Sequence, residues 1–378
     1  MTITTRNMTT HNGEWRLLTA RTEALKSWGV ASRTYAVNLA AQVAAASTRD
    51  IEFVPCSSQP SAFAEVRRLT ARLHRITDPR VPFVLSGIQA CAAADVLPGR
   101  RFLVDLHGTL AEWLEYPPGA VGRWGALAYR AAQALETWAL RRADGAITVT
   151  PDLAREAAGR GAKQAFVIPC GNSVTPTSGG NDALRMALAF DPEDIVFVFN
   201  GGASRWQMLP ETIELFKHIH ASWPRARLLF LTPERRRVTS LISEAGLNLD
   251  WCRIHETDPD EVIHALWACD VGLLLRGATR TNAVAFPNKF TEYISACLPT
   301  ITAPGLPAVS RLVRQYGTGV VVDPHAVPSS STLEALRSLV ERRRSQEPEF
   351  LGRFRDLWHA HLDMRDLVRP LGAWVVDP

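Results

Sequence analysis

The chain has 378 residues, 46% of them hydrophobic and 21% charged, with a formal net charge of +4. This length implies two domains rather than one core, and the composition is that of a folded protein, not a disordered one. The dispersed Lys and Arg argue against a nucleic-acid binder, which needs a concentrated basic face.

Six cysteines (Cys56, Cys91, Cys170, Cys252, Cys269 and Cys297) are scattered without a C-x-x-C pair. Neither a zinc site nor a disulfide framework is expected, and a reducing cytoplasm fits. No run of about 18 apolar residues and no signal-peptide core is present. A cytoplasmic protein, at most peripheral at the inner face of a membrane, is the expectation.

In chain order, "MTITTRNMTTHNGEW" offers only a short strand before Gly13. "VPFVLSG" (81–87) and "RFLVDLHG" (101–108) read as buried parallel strands ending in polar residues or glycine. A long Ala/Leu/Trp helix follows, roughly 124–142, then the strand "GAITVT" (145–150), a helix from Pro151 and "AFVIPCG" (165–171). This alternation predicts a doubly wound α/β sheet. Residues 173–191, rich in Ser, Thr, Gly and Pro, read as a linker.

The alternation then restarts. Strands are expected at 194–202, 226–232, 251–256, 270–276, 299–304 and 317–324, with helices from Pro210, over 238–245, over 259–268 and from Pro287. The last stretch, about 332–371, reads as helical. The predicted organisation is an N-terminal domain over 1–180, a second doubly wound domain over 190–345, and a helical tail over 346–378. Arg235–Arg237 and Arg342–Arg344 read as solvated helix faces. The pairs His218/His220 and His359/His361 sit two apart, a spacing that points them away from each other on a helix.

Ligands in such sheets sit outside the carboxyl ends of the strands. "VDLHGT" delivers Asp105, His107 and Gly108 to that edge, with Glu112 and Glu115 close behind. His107 precedes a glycine where backbone can approach a ligand, although a lone histidine is often structural. Glu112 and Glu115 are equally readable as first-turn helix acids. In the second half "FNGGASRWQMLPE" sets Asn200, Gly201 and Gly202 at a strand end, then Arg205 and a helix start. Free backbone N–H groups, a helix start and a guanidinium make a cradle for a diphosphate. The plain alternative is a glycine turn with an exposed arginine. No G-x-G-x-x-G dinucleotide motif and no G-x-x-x-x-G-K-[ST] loop occurs.

"FPNKFTEYISACLPTIT" (286–302) follows a strand ending at Arg276 by about ten residues. Pro287 suits a first helical turn, and Asn288, Lys289 and Glu292 follow it. Lys289 and Glu292, three apart, share one helical face. They form either a surface ion pair or a clamp, the lysine for phosphate and the carboxylate for vicinal ribose hydroxyls. Their place after a strand favours the clamp.

On "DLHGTLAEW", "ALRRADGAITVTPDL", "VIPCGNS", "FNGGASRWQ", "ACDVGLLLR" and "FPNKFTEYISACLPTI", the chain resembles the retaining GT-B glycosyltransferases of the group 1 type (family four). The resemblance runs from about Gly13 to Pro324. The last motif is similar to P-x-K-x-x-E-Y followed by a small residue and G-x-P-V, with Cys297 in the place of that glycine. The resemblance implies two Rossmann-like domains facing across a cleft. It implies a nucleoside-diphosphate sugar as donor and a glycan or lipid-linked acceptor, with no metal. Glu292 would bind the ribose, Arg205 and Lys289 the diphosphate, and His107 would face the sugar ring. The turn at Gly13 and Glu112 would lie on the acceptor side.

Two departures from the family pattern stand out. Val284 occupies the place of the first of its paired glutamates, with Asn282 or Arg276 as nearby substitutes. Trp206-Gln207-Met208 stands where a lysine commonly follows the arginine. Two alternatives stay open at this level: a nucleotide-sugar epimerase on the same fold, and a catalytically degenerate module that binds without turnover.

Overall fold

The structure is a computed structural model that describes residues 1–5, 13–39, 50–116 and 125–377. Of the helix expected from residue 124, Trp124 lies outside the described residues, and the helix is Gly125–Arg142. The chain divides into two compact units, 1–173 with 363–378, and 174–362.

The first unit is built on seven strands: β1 (Thr2–Thr4), β2 (Thr34–Leu39), β3 (Ile51–Cys56), β4 (Phe83–Ser86), β5 (Phe102–Leu106), β6 (Gly145–Thr148) and β7 (Ala165–Val167). Their order is β3-β2-β1-β4-β5-β6-β7, and every pairing is parallel. β1 has only three residues, yet it is bonded on both sides, Thr2 opposite Thr34 and Thr2 opposite Val84. The sequence reading lacked β2 and β3. β3 carries Pro55, which cannot donate to a ladder; its place at the sheet edge accommodates this. The segment Asp363–Pro378 belongs to this unit, and Met364 N–H donates to the Asn172 carbonyl at 2.9 Å.

The second unit carries β8 (Ile195–Asn200), β9 (Ala226–Leu231), β10 (Cys252–His255), β11 (Val271–Leu274), β12 (Thr300–Thr302) and β13 (Gly319–Val321). Their order is β10-β9-β8-β11-β12-β13, again parallel throughout. In both sheets the order reverses beside the first strand, at β1/β4 and at β8/β11. Such a reversal opens a crevice at the carboxyl ends of the two strands. Phe197, Phe199, Phe216 and Phe230 fill the core beneath the second sheet.

Two details fix what borders that crevice. The Asn288–Ser295 helix is buried at seven of its eight residues. Its Tyr293 hydroxyl lies 3.2 Å from the carbonyls of both Val198 and Leu273, and it accepts from Asn200 N–H at 3.2 Å. The helix is thereby tied to β8 and β11 together. The Tyr293 ring lies directly on Gly272, where a Cβ would come within 2.6 Å of it, so β11 needs a glycine there.

Three sequence expectations are corrected. The stretch 173–191 contains a helix, Asp182–Ala187, capped by Asn181 accepting from Leu184 N–H at 3.0 Å. Pro287 stands at the helix cap rather than inside the first turn. Arg342–Arg344 is only partly a solvated face. Arg343 is buried, and Arg344 binds both oxygens of buried Asp270 at 2.8 Å. Arg185 joins the same carboxylate at 3.3 Å, and Val196 N–H donates to it at 2.8 Å. This cluster lies where β11 begins, at the opposite edge from the crevice. Arg235–Arg237 is exposed as expected.

Candidate active site

At the carboxyl end of β8 the backbone turns at Gly201 with φ +110°, a conformation that L side chains rarely adopt. Beside it Gly202 faces Glu234, whose Oε1 accepts from Ala203 N–H at 3.0 Å and would lie 2.6 Å from a Cβ at Gly202. Glu234, just past β9, thus braces the loop. Sequence reasoning missed it, although its place after a strand was the available signal. The loop continues into a short 3₁₀ turn, Arg205–Gln207, and then the Leu209–Ser222 helix, entered through left-handed Met208. Arg205 is exposed, and among the described residues its guanidinium makes no hydrogen bond or ion pair.

Lys289, in the first turn of the Asn288–Ser295 helix, reaches under this loop. It is only 7% exposed. Its ammonium donates to Gln207 Oε1 at 2.7 Å and stands 4.2 Å from the centre of the Phe199 ring. Its Nζ would be 3.6 Å from a Cβ at Gly201. Burial, then repulsion from Arg276, holds this ammonium well below the usual lysine range, against the pull of Glu292. Glu292, 8% exposed, accepts from Asn200 Nδ2 at 2.5 Å. An exposed Lys289–Glu292 ion pair is therefore ruled out as the reason for this spacing. Both side chains are buried where β8 and β11 part.

Arg276 is buried just past β11. The backbone after it runs hard against Gly305, where a Cβ would overlap the carbonyls of Arg276 and Gly277. Asn282, also buried, donates to the Gly277 carbonyl at 3.0 Å and holds that loop. Val284 is buried, and Asn288 is half-buried at the helix start. Cys297 takes φ +51°, the left-handed conformation that favours glycine. Gly201, Gly202, Arg276, Asn288, Lys289 and Glu292 thus gather at one switch point, with Arg205 on the loop beside them.

In the first unit, His107 follows directly on β5. Its Nε2 lies 2.8 Å from Asp105 Oδ2, and Asp105 is fully buried. Arg21, from the Gly13–Ser27 helix, holds the same carboxylate through Nη1 at 3.0 and 2.9 Å. The imidazole is therefore fixed by a carboxylate that is itself neutralised, an arrangement sequence reasoning missed because Arg21 lies 84 residues from Asp105. Thr109 donates to Glu156 Oε1 at 3.1 Å beside it. Glu112 is half-buried in the short Glu112–Glu115 helix, and Gly13 is the exposed first residue of its helix.

No family model matches the chain, and no curated protein matches it. Solved structures do. Sucrose-phosphate synthase from Thermosynechococcus elongatus is 14% identical, with TM-score 0.74 over 99% of this chain and 97% of that one. HepE from Anabaena, in complex with UDP-glucose, is 15% identical with TM-score 0.70 over 100% and 99%. WaaG, a glycosyltransferase involved in lipopolysaccharide biosynthesis, is 13% identical with TM-score 0.61 over 100% and 99%. With two parallel, doubly wound sheets of seven and six strands and this likeness along nearly the whole chain, the protein has the GT-B fold of glycosyltransferases.

Proposed function

We propose that the protein is a glycosyltransferase that moves a sugar from a nucleoside-diphosphate sugar to a glycan or lipid-linked acceptor, with retention, in polysaccharide or glycoconjugate biosynthesis. The observation that carries this is the buried Lys289 beneath the Gly201 turn, beside a Glu292 carboxylate that Asn200 holds in place. A lysine hydrogen-bonded to a neutral amide and repelled by Arg276 gains most from an anion. The complex of HepE with UDP-glucose supports the donor class.

In this reading Glu292 accepts from the ribose hydroxyls, and Asn288 and the helix start face the phosphates. As the bond from the anomeric carbon to the diphosphate oxygen breaks, the electron pair stays with the diphosphate. Lys289, Arg205 and Arg276 offset that charge, with no metal assigned a part. The acceptor oxygen bonds to the anomeric carbon and its proton passes to the departing diphosphate oxygen. His107, fixed by Asp105, faces the sugar ring, and Gly13 and Glu112 lie on the acceptor side. Reading the chain as a degenerate binding module has one observation in its favour, the buried Val284 in place of a glutamate.

Among the described residues no helix is long and apolar enough to cross a membrane. Peripheral contact has support on the Gly125–Arg142 helix. Leu127, Ala131, Ala134 and Trp138 form an exposed stripe at helical spacing, flanked by exposed Arg130, Arg141 and Arg142. All six cysteines are free and buried, in keeping with a cytoplasmic location.

The test is calorimetric titration with UDP, GDP, ADP and CDP on the wild type and on Glu292→Ala, followed by assay of sugar transfer or donor hydrolysis. One nucleotide should bind, and Glu292→Ala should weaken it. Binding of none refutes the donor site. Binding without turnover supports the degenerate module.

A further inference from the structure

The first unit has a cavity of about 390 Å³, open to solvent beside Asp78 and Arg80, away from His107's edge. It lies between the Gly13–Ser27 helix, the amino-terminal halves of β1 and β4, and the Arg369–Val376 helix. Its walls are mainly apolar, among them Leu18, Leu25, Val84, Ile147, Leu371 and Trp374. That volume and lining are those of a small-molecule site.

Five charged or ionisable groups also line it, and four have partners: Asp105 binds Arg21, Asp78 and Arg80 pair at 3.5 Å, and the Met1 amino group donates to the Pro82 carbonyl at 2.7 Å, which leaves Arg21 with open donors. Arg21 lines the cavity and is only 4% exposed. Its Nη1 serves both oxygens of Asp105, while Nε and Nη2, the other edge of the guanidinium fork, are buried and have no hydrogen-bond partner. Buried N–H groups without acceptors are rare and costly. Asp105 already balances the Arg21 charge, so what the fork lacks is an acceptor, not a second anion. A carboxylate placed there would bury net negative charge.

We propose that this cavity is a binding site for an apolar, uncharged molecule ending in a carbonyl or hydroxyl oxygen, with that oxygen accepting from Arg21 Nε and Nη2. The same carboxylate that anchors Arg21 holds His107 at 2.8 Å. An occupant therefore bears on the orientation of a candidate catalytic residue without touching it. The site does not depend on the donor assignment in the second unit.

The experiment is calorimetric titration of octanamide into the full chain, with octanoate and octane as comparisons. Arg21→Lys keeps a positive charge opposite Asp105 but removes the fork. Val84→Phe narrows the cavity without altering Arg21, and Val30→Phe does the same from another wall should Val84→Phe fail to fold by circular dichroism. One octanamide should bind per chain, at least tenfold more weakly in Arg21→Lys and in the cavity-filling variant. Octanoate and octane should both bind more weakly than octanamide. Absence of octanamide binding to the wild type overturns the site, as does wild-type affinity in the variants. Tighter binding of octanoate overturns the uncharged assignment, and equal binding of octane overturns the role of Arg21.

Discussion

Replacing Lys289 by methionine separates folding from function at the candidate donor site. The change keeps an unbranched side chain of similar length but removes a buried charge. Lost with it are the 2.7 Å bond to Gln207 and the contact with the Phe199 ring at 4.2 Å. Removed as well are the desolvation of the ammonium and its repulsion from Arg276, the causes of its lowered pKa. Because burial and Arg276 together outweigh the attraction of Glu292, removing this ammonium should leave stability unchanged or raise it. The melting temperature should accordingly hold or rise, by about 2–4 °C for each kcal/mol gained in a unit of this size. The sign with pH follows from linkage. The folded lysine releases its proton before the unfolded one, so wild-type stability should increase as pH climbs from the folded pKa towards about 10.4. Lys289→Met should lack that increase. Nucleotide binding should move the other way. Loss of one charge-assisted bond, about 1.5–3 kcal/mol, weakens the diphosphate about 10- to 150-fold. Thermal melts at several pH values and calorimetry with the nucleotide selected from the panel give both readouts. A variant that melts well below the wild type yet binds nucleotide unchanged would refute the reasoning.

Asp270→Ala should do the reverse, destabilising by about 3–5 kcal/mol because Arg343, Arg344 and Arg185 lose their shared carboxylate; denaturant unfolding measures it. Burial pushes the Asp270 carboxyl up, but Arg344, Arg343 and the Val196 N–H together hold it below the usual range. Its contribution is present above the unfolded value of about 3.9 and lost as pH falls through the folded one, so acid should unfold the wild type partly through this group. Co-sedimentation with vesicles rich in anionic lipid should capture the protein, and Leu127→Ser with Trp138→Ser should release it; equal capture by neutral vesicles would remove the role of the flanking arginines.

Much of the fold was legible because buried parallel strands announce themselves as apolar runs, as "DIVFVFNGG" and "ARLLFLT" do. What was not legible depended on partners distant in sequence. β1 is three residues long and exists because β2 and β4 bond both its edges. β3 carries a proline that reads as a breaker until its edge position is known. Arg343 and Arg344 look like a solvated run until Asp270, over 70 residues earlier, is seen beneath them. At the candidate site, Lys289 and Glu292 were found from their spacing after a strand. Their burial, and the bracing by Asn200, Gln207 and Glu234, required the folded chain.

The second unit handles its buried charges differently at its two edges, and the contrast supports the proposed donor site. Where β11 begins, Asp270 meets three arginines and a backbone N–H, a group whose charge is met within the chain. Where β8 and β11 end, Lys289 is as deeply buried, yet its hydrogen-bond acceptor is the neutral amide of Gln207 and Arg276 opposes its charge. Stability alone gives no reason to keep such a lysine, since an apolar residue would serve the fold as well or better. In the proposed donor site an anion at the Gly201 turn gives that reason, because it adds negative charge where Glu292 alone does not offset burial and Arg276. In that reading the depressed lysine and the positive-φ glycine above it are two parts of one device, set where the strand order reverses and a ligand's phosphates can reach backbone N–H groups. Cys297, held left-handed where a glycine would rest without strain, lies behind the same helix and shows how little freedom its position allows.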